Sequence, residues 1–250
     1  IPLILSLDLG IQSAIEHVLF GGMRLMNAKG ATAVLMDIHS GEIISMVSLP
    51  DFDPNDRTIS GKGKKGSENP LFNKSVQGLY ELGSVFKVFT AAAVLEDGIV
   101  KPDTLVNTTS PIWWGKHKIS NYHRLPDELS FTDVLVESSN TGTSRLAKEL
   151  GATRQKEFLK SLGFFDDTGI ELVEASHIKS KYPKNWSEIS TMTISYGHGI
   201  SSSPLHVASA FATLLNGGTK VKPTLLNRNA QNSKGDRIIS TNVSKELIQI

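Results

Sequence analysis

The chain has 250 residues, enough for one large domain or two lobes sharing a core, and its apolar and charged shares, 39% and 20%, are those of a globular protein. A formal net charge of +1 gives no bulk electrostatic case for nucleic acid, and the absence of cysteine excludes disulfides and thiolate metal sites. No apolar run approaches the ~20 residues of a membrane span, and the opening has no basic segment of a secretion signal, so the chain reads as a piece of a longer protein whose address or anchor lies elsewhere.

In chain order, IPLILSLDLG (1–10) predicts a strand entering a domain. Apolar residues at Ile15, Val18, Leu19, Met23 and Met26 predict a helix over 12–29 that ends near Gly30. Two apolar, β-branched runs around Ser40-Gly41 predict a tight hairpin of largely buried strands over 31–49. Residues 51–70 predict a loop, whose GKGKKG run is a solvated stretch before it is an anion-binding patch. From 84 to 95 the residues are apolar on every side, the pattern of a buried helix, and Asp97-Gly98 ends it. Residues 105–126 are irregular and hold Trp113 and Trp114, either a rim for sugar or peptide or anchors of a loop.

Ser130 and Asp133 form a capping box ahead of the next helix. NTGTSRLAKELG predicts another, ending at Gly151, and TRQKEFLKSLG a third, capped by Thr153 and stopped by Gly163. Ser203, Pro204 and Asn216-Gly217 bracket a later helix, and TKVKPTLL (219–226) and RIIS (237–240) predict strands. Strands at both ends with helices between predict an α/β (α+β) fold. Its sheet is assembled from distant segments, a helical lobe is inserted, and a cleft lies between the two.

The chemistry concentrates in ELGSVFKVF (81–89). Residues three apart on a helix share a face, so the Ser84 hydroxyl can meet the Lys87 amine. Serine needs a base to act as a nucleophile. An exposed lysine is protonated, but one buried among Val85, Phe86, Val88 and Phe89 loses charge because desolvation disfavours the ammonium. Free N–H groups at the helix mouth favour a developing oxyanion. Against this stands a capping serine followed by a lysine that snorkels outward. A second Ser-x-x-Lys, Ser176 to Lys179, runs into Pro183 with no apolar helix and reads as surface. Downstream, ESSNTGTS places Ser138 and Asn140 on a turn between helices. A serine can relay a proton from a lysine, and an asparagine can hold both a lysine and a substrate amide. Ser67–Asn69 and Ser240–Asn242 repeat the Ser-x-Asn spacing and read as turns or caps. The histidines show no metal-ligand spacing, and no cofactor is expected.

Ser-x-x-Lys on a buried helix followed by Ser-x-Asn resembles the penicillin-recognising serine acyltransferases. Within them the chain is similar to the transpeptidase domain of class B penicillin-binding proteins of the cell-division type. LILSLDLGIQSAIE, the hairpin segment, NPLFNKSVQGLYELGSVFKVFTAAAVLEDG and SYGHGISSSPLHVASAFATLLNGG all carry the likeness.

The resemblance implies a serine β-lactamase/D,D-peptidase-like fold with an antiparallel sheet flanked by helices. Residues 1–50 and 200–250 would form the sheet lobe, and 51–199 the mainly helical lobe carrying the nucleophile. Ser84 would be acylated, Lys87 its general base, Ser138 a proton shuttle, and Asn140 the group orienting Lys87 and the substrate amide. The Ser84 N–H would form half of the oxyanion hole.

The implied activity is D,D-transpeptidation of peptidoglycan stem peptides ending in D-Ala-D-Ala. β-Lactams would be trapped as acyl-enzymes, division-complex membrane proteins would be partners, and nucleic acid would not. The location would be the periplasmic face of the inner membrane, reached through an N-terminal anchor absent from this chain. Leu82 stands where many relatives have proline, and Ser139 where others have aspartate. No Lys-Thr-Gly or Lys-Ser-Gly occurs. In the family that motif follows a segment like 237–250, so the domain is expected to be C-terminally incomplete, with half a site. A β-lactamase needs a deacylating glutamate with asparagine four residues on. Glu171 and Glu174 are instead followed at that spacing by Ala175 and Ile178. A β-lactam sensor, which is acylated and signals, and a non-catalytic division scaffold also compete with the transpeptidase.

Overall fold

The computed structural model describes residues 2–56, 68–227 and 235–250, so the GKGKKG run and Ser67 lie outside the described residues. Helix α1 (Leu9–Leu25) starts at Asp8, whose carboxylate accepts the Ile11 N–H at 2.9 Å. This cap satisfies a free N–H of the first turn and starts the helix earlier than its apolar spacing predicts. The helix also ends earlier, at Met26 instead of Gly30. Gln12 ties α1 to the sheet, donating to Met46 O at 2.9 Å and accepting from Ser45 Oγ at 2.7 Å.

Strands β1 (Ala31–Met36) and β2 (Ile43–Leu49) pair antiparallel, Ala31 opposite Leu49, with an irregularity between Leu35 and Met36. Along β2 every second residue is buried, Ile43, Ser45, Val47 and Leu49, as strand geometry requires of a sheet with one covered face. β1 is half-buried, not largely buried as expected.

The strands predicted at 1–10, 219–226 and 237–240 do not form. Those segments make single bridges: Leu5 with Leu226, Glu42 with Thr224, and Thr219 with Arg237. Pro223 has no N–H to give, so no continuous ladder runs through 219–226. The distant segments nevertheless meet, since the Ser6 N–H donates to Leu225 O and the Ile43 N–H to Thr224 O, both at 2.9 Å.

The main core surrounds helix α2 (Lys87–Glu96), which follows a 3-10 turn at Gly83–Phe86. Phe89, Ala91, Ala92, Ala93 and Val94 are at most 1% exposed, as an all-round apolar helix demands. Val85, half-exposed, departs from that pattern. Phe86, Phe89 and Phe164 form a tilted cluster with centroids 5.0 to 5.3 Å apart. Such pairs contribute about 1 kcal/mol each beyond area burial.

The interval 105–126 is less irregular than its sequence suggests. β3 (Leu105–Asn107) pairs with β6 (Glu128–Ser130), and β4 (Ile112–Trp114) with β5 (His117–Ile119). Strands this short leave no readable period. Next come α3 (Phe131–Val136), α4 (Asn140–Leu150), α5 (Ala152–Ser161), α6 (Glu188–Ile194), α7 (Pro204–Leu215) and α8 (Thr241–Gln249).

Ser130, Ser203 and Gly151 end or begin helices where expected. Thr153 does not cap α5, because the chain leaves α4 at Gly151 and re-enters a helix at once. α6 and α8, each opened by a serine cap, Ser187 and Ser240, are helices that the sequence patterns did not predict. Ser240 is therefore a cap, as its weak motif allowed.

Candidate active site

Ser84 lies in the 3-10 turn and is exposed, while Lys87, one turn on, is 2% exposed. Their separation follows from local geometry: Lys87 Nζ is 3.1 Å from Ser84 Oγ. The amine also contacts Ser138 Oγ at 2.8 Å and the Ser138 carbonyl oxygen. Burial pulls the Lys87 pKa from 10.5 to about 8. As an ammonium it donates to all three oxygens. As a neutral amine it keeps two N–H groups for Ser138 and turns its lone pair to the Ser84 hydroxyl, the arrangement a general base needs.

The structure explains how Ser138 offers two oxygens at once. Helix α3 ends with the Ser138 N–H donating to Leu135 O at 3.0 Å and the Ser139 N–H to Val134 O at 2.8 Å. This is the paired closure in which the residue just past the helix turns left-handed, a position usually given to glycine. Ser138 takes it with φ +54°. That conformation costs a non-glycine residue about 1 kcal/mol or more and swings its carbonyl and hydroxyl together onto Lys87.

The next residue, Ser139, is fully buried and caps α4, accepting the Gly142 N–H at 3.1 Å. Aspartate caps helices equally well, which accounts for either residue between Ser138 and Asn140.

Asn140 opens α4 and faces the β4–β5 hairpin, its Nδ2 donating to Ser120 O at 2.9 Å. The expected hydrogen bond from Asn140 to Lys87 is not among those of the described residues. Lys87 is held by Ser138 instead.

Asn121, which the sequence did not single out, fixes the turn. Its Oδ1 accepts from the Thr141 N–H at 3.0 Å and from Ser139 Oγ at 3.2 Å. Its Nδ2 donates to Thr108 O at 3.3 Å. The signal available was an asparagine two residues past a short strand, His117–Ile119, which occurs too widely to be selective.

A second wall approaches from Tyr196-Gly197-His198-Gly199. A Cβ on Gly197 would lie 2.2 Å from Gly83 O, so only glycine permits this loop to press on the turn before Ser84. Glu81 fastens it, accepting the Gly199 N–H at 3.0 Å and pairing with His198 at 3.5 Å. His198 thus lies beside the turn that carries Ser84.

Other lysines and carboxylates are placed elsewhere. Lys74 is as buried as Lys87, but its Nζ meets only a carbonyl, Phe72 O at 3.5 Å, among its hydrogen bonds in the described residues. Ser176 and Lys179 are both exposed. Glu171 accepts from Thr224 Oγ1 at 2.7 Å and Glu174 from Asn73 Nδ2 at 3.2 Å, which places both carboxylates in bracing contacts away from Ser84. No cluster of metal-ligating side chains occurs among the described residues.

Residues 31–250 match the penicillin binding protein transpeptidase domain family. The chain is 31% identical over its whole length to a probable peptidoglycan D,D-transpeptidase FtsI of Caulobacter vibrioides, of which it covers 41%. It is 32% identical over 99% of its length to peptidoglycan D,D-transpeptidase FtsI of Buchnera aphidicola, covering 42% of that protein. The chain therefore spans about two fifths of the length of these curated relatives. In fold it is similar to the TP domain of penicillin-binding protein 3 from Burkholderia pseudomallei, with a TM-score of 0.83 at 24% identity, covering 98% of this chain and 68% of that one.

Proposed function

The chain belongs to the penicillin-binding protein transpeptidase family, of the FtsI-like class B type, and we propose that it carries out the acyl-transfer chemistry of peptidoglycan D,D-transpeptidation. The observation that carries the proposal is the exposed Ser84 hydroxyl 3.1 Å from the amine of a buried lysine whose pKa is lowered to about 8.

Neutral Lys87 takes the Ser84 proton as Oγ attacks the carbonyl of the penultimate D-alanine of a stem peptide. The Ser84 N–H stabilises the oxyanion, and the proton passes by way of Ser138 Oγ to the departing D-alanine amine. An amine of a neighbouring stem peptide then attacks the ester, and its proton returns along the same route as Ser84 is freed. Asn140, anchored on Ser120, presents its amide to the substrate backbone. A β-lactam follows the first half of this course, but ring opening leaves its amine tethered in the site.

The lobes at 1–50 with 200–250 and at 51–199, the sheet completed beside the hairpin, septal partners in the membrane and a periplasmic location belong to the same proposal. No helix among the described residues is long and apolar enough to cross a membrane. Labelling with fluorescent penicillin followed by peptide mass spectrometry tests the assignment. The adduct is expected on Ser84 and lost in Ser84→Ala. An adduct on Ser176, or a label retained by Ser84→Ala, refutes it.

A further inference from the structure

Residues 112–124 stand beside the Ser138–Asn140 turn, and apart from Asn121, which fixes that turn, their side chains have no part in the chemistry above. In the β4–β5 hairpin Trp113 is opposite Lys118 and Trp114 opposite His117. Successive strand residues point to opposite faces, so the two indoles must part. Trp114 turns toward the helical body, where Lys148 Nζ of α4 lies 4.7 Å from the ring centroid and is itself held by Glu188 at 2.8 Å. That face fastens the hairpin.

Trp113 turns outward and is 64% exposed, with Lys118 Nζ 5.7 Å from its centroid. Lys116, Lys118, Tyr122 and Arg124 are exposed with it. Between Asp103 and Asp127 the sequence has no acidic residue, although the whole chain carries a net charge of only +1. The positive charge here is local and is not a reflection of bulk composition. Glu137 reaches this stretch from α3, pairing with His123 at 3.3 Å. Exposed aromatic rings and arginine are enriched at interaction surfaces, and the lysines add a local positive field that draws anionic partners. The hairpin also leads directly into the site, because Ser120 O accepts from Asn140 Nδ2 and Asn121 Oδ1 from the Thr141 N–H.

We propose that the exposed hairpin residues Trp113, Lys116 and Lys118, with Tyr122 and Arg124 of the segment that follows, dock a peptidoglycan strand beside the acyl-transfer site. The proposal rests on the transpeptidase reading and deepens it. The rings lie on the apolar faces of the amino sugars, and the cations meet the carboxylates of the stem peptides. Charge complementarity selects this occupant, and so does continuity with the Ser138–Asn140 turn. A polymer that delivers its stem peptide to Ser84 lies across the neighbouring rim, where opposite charge also raises its encounter rate.

Co-sedimentation with purified peptidoglycan sacculi, run beside fluorescent-penicillin labelling of the same samples, tests it. The unmodified protein is expected to pellet with sacculi, less so as salt rises. Trp113→Ala, and separately Lys116→Glu with Lys118→Glu, are expected to weaken that binding at least about tenfold, the effect of truncating an interface anchor. Trp113→Phe keeps most of the binding. All three variants keep their labelling, because a β-lactam is too small to reach the hairpin.

Unchanged sedimentation of Trp113→Ala and of the charge reversal overturns the proposal. Binding and labelling lost together also overturn it, because the hairpin would then be a brace for the catalytic turn. Equal binding of the unmodified protein to anionic phospholipid vesicles, lost in the same variants, would mark an unselective basic surface and overturn it too. An unmodified protein that pellets with sacculi but takes no label at Ser84 sinks the catalytic reading and leaves the docking surface standing.

Discussion

Replacing Lys87 by methionine separates the cost of the buried amine from its use. Methionine keeps the apolar stem in place and fills the same space flexibly. The lysine pKa falls from 10.5 to about 8 through burial. At about 1.4 kcal/mol per unit, the charged side chain burdens the folded state by about 3 kcal/mol.

The sign follows from proton counting. Below pH 8 the lysine is charged in both states and the burden is fully present. Between about 8 and 10.5 the folded protein has released the proton while the unfolded chain still binds it, so stability rises with pH. Lys87→Met has no such rise. It also strands the two part-buried Ser138 oxygens, at about 1 kcal/mol each, while the exposed Ser84 hydroxyl keeps water. The variant is therefore expected to match the unmodified protein within about 1 kcal/mol at neutral pH, and to fall behind by about 3 kcal/mol more across the titration window.

Urea unfolding of both proteins on either side of that window measures the difference, since the other titrating groups cancel. Penicillin labelling of the variant should fall at least ~10²-fold, the usual worth of a general base. A stability gap that stays constant with pH would falsify the desolvation argument. Labelling near the normal rate would remove Lys87 from the chemistry.

Acylation of the unmodified protein should climb with pH and level off above about 8, as Lys87 becomes neutral; stopped-flow labelling that stays flat through this range is incompatible with a lysine base. Ser138→Gly should leave stability equal or raise it by up to about 1 kcal/mol, because glycine accepts φ +54° without strain, yet slow acylation by ~10²-fold through loss of Oγ. A labelling rate equal to that of the parent would show that the Ser138 carbonyl alone holds the amine. Gly197→Ala forces a Cβ to 2.2 Å from Gly83 O at φ +81°, so it should cost at least about 2 kcal/mol and displace the Ser84 turn. An unchanged thermal midpoint with unchanged labelling would mean that the 196–199 loop does not press on the Ser84 turn.

Features that depend on near neighbours are legible in the chain's own residues. Ser84 and Lys87 meet because one helical turn fixes their spacing, and Lys87 is buried because residues on every side of α2 are apolar. The caps at Ser130 and Ser203 and the stop at Gly151 were readable for the same reason, as was the likeness of the motifs to a known family.

Features that join distant segments are legible only once the chain has folded. Ser138 carries the sequence signal of a turn, but its left-handed backbone is set by how α3 closes and α4 starts, and that conformation places its carbonyl as well as its hydroxyl on Lys87. Asn121 and Glu81 act on partners far along the chain, Ser139, Thr141 and Gly199, and no local period announces such pairings. The segment 219–226 reads as a strand from its apolar residues, yet Pro223 and the available partners allow only single bridges. Helical spacing and capping are decided within a few residues, where the sequence is explicit. Strand pairing and the bracing of a catalytic turn depend on which distant groups still lack a hydrogen-bond partner once the core has closed, and that is settled only in three dimensions.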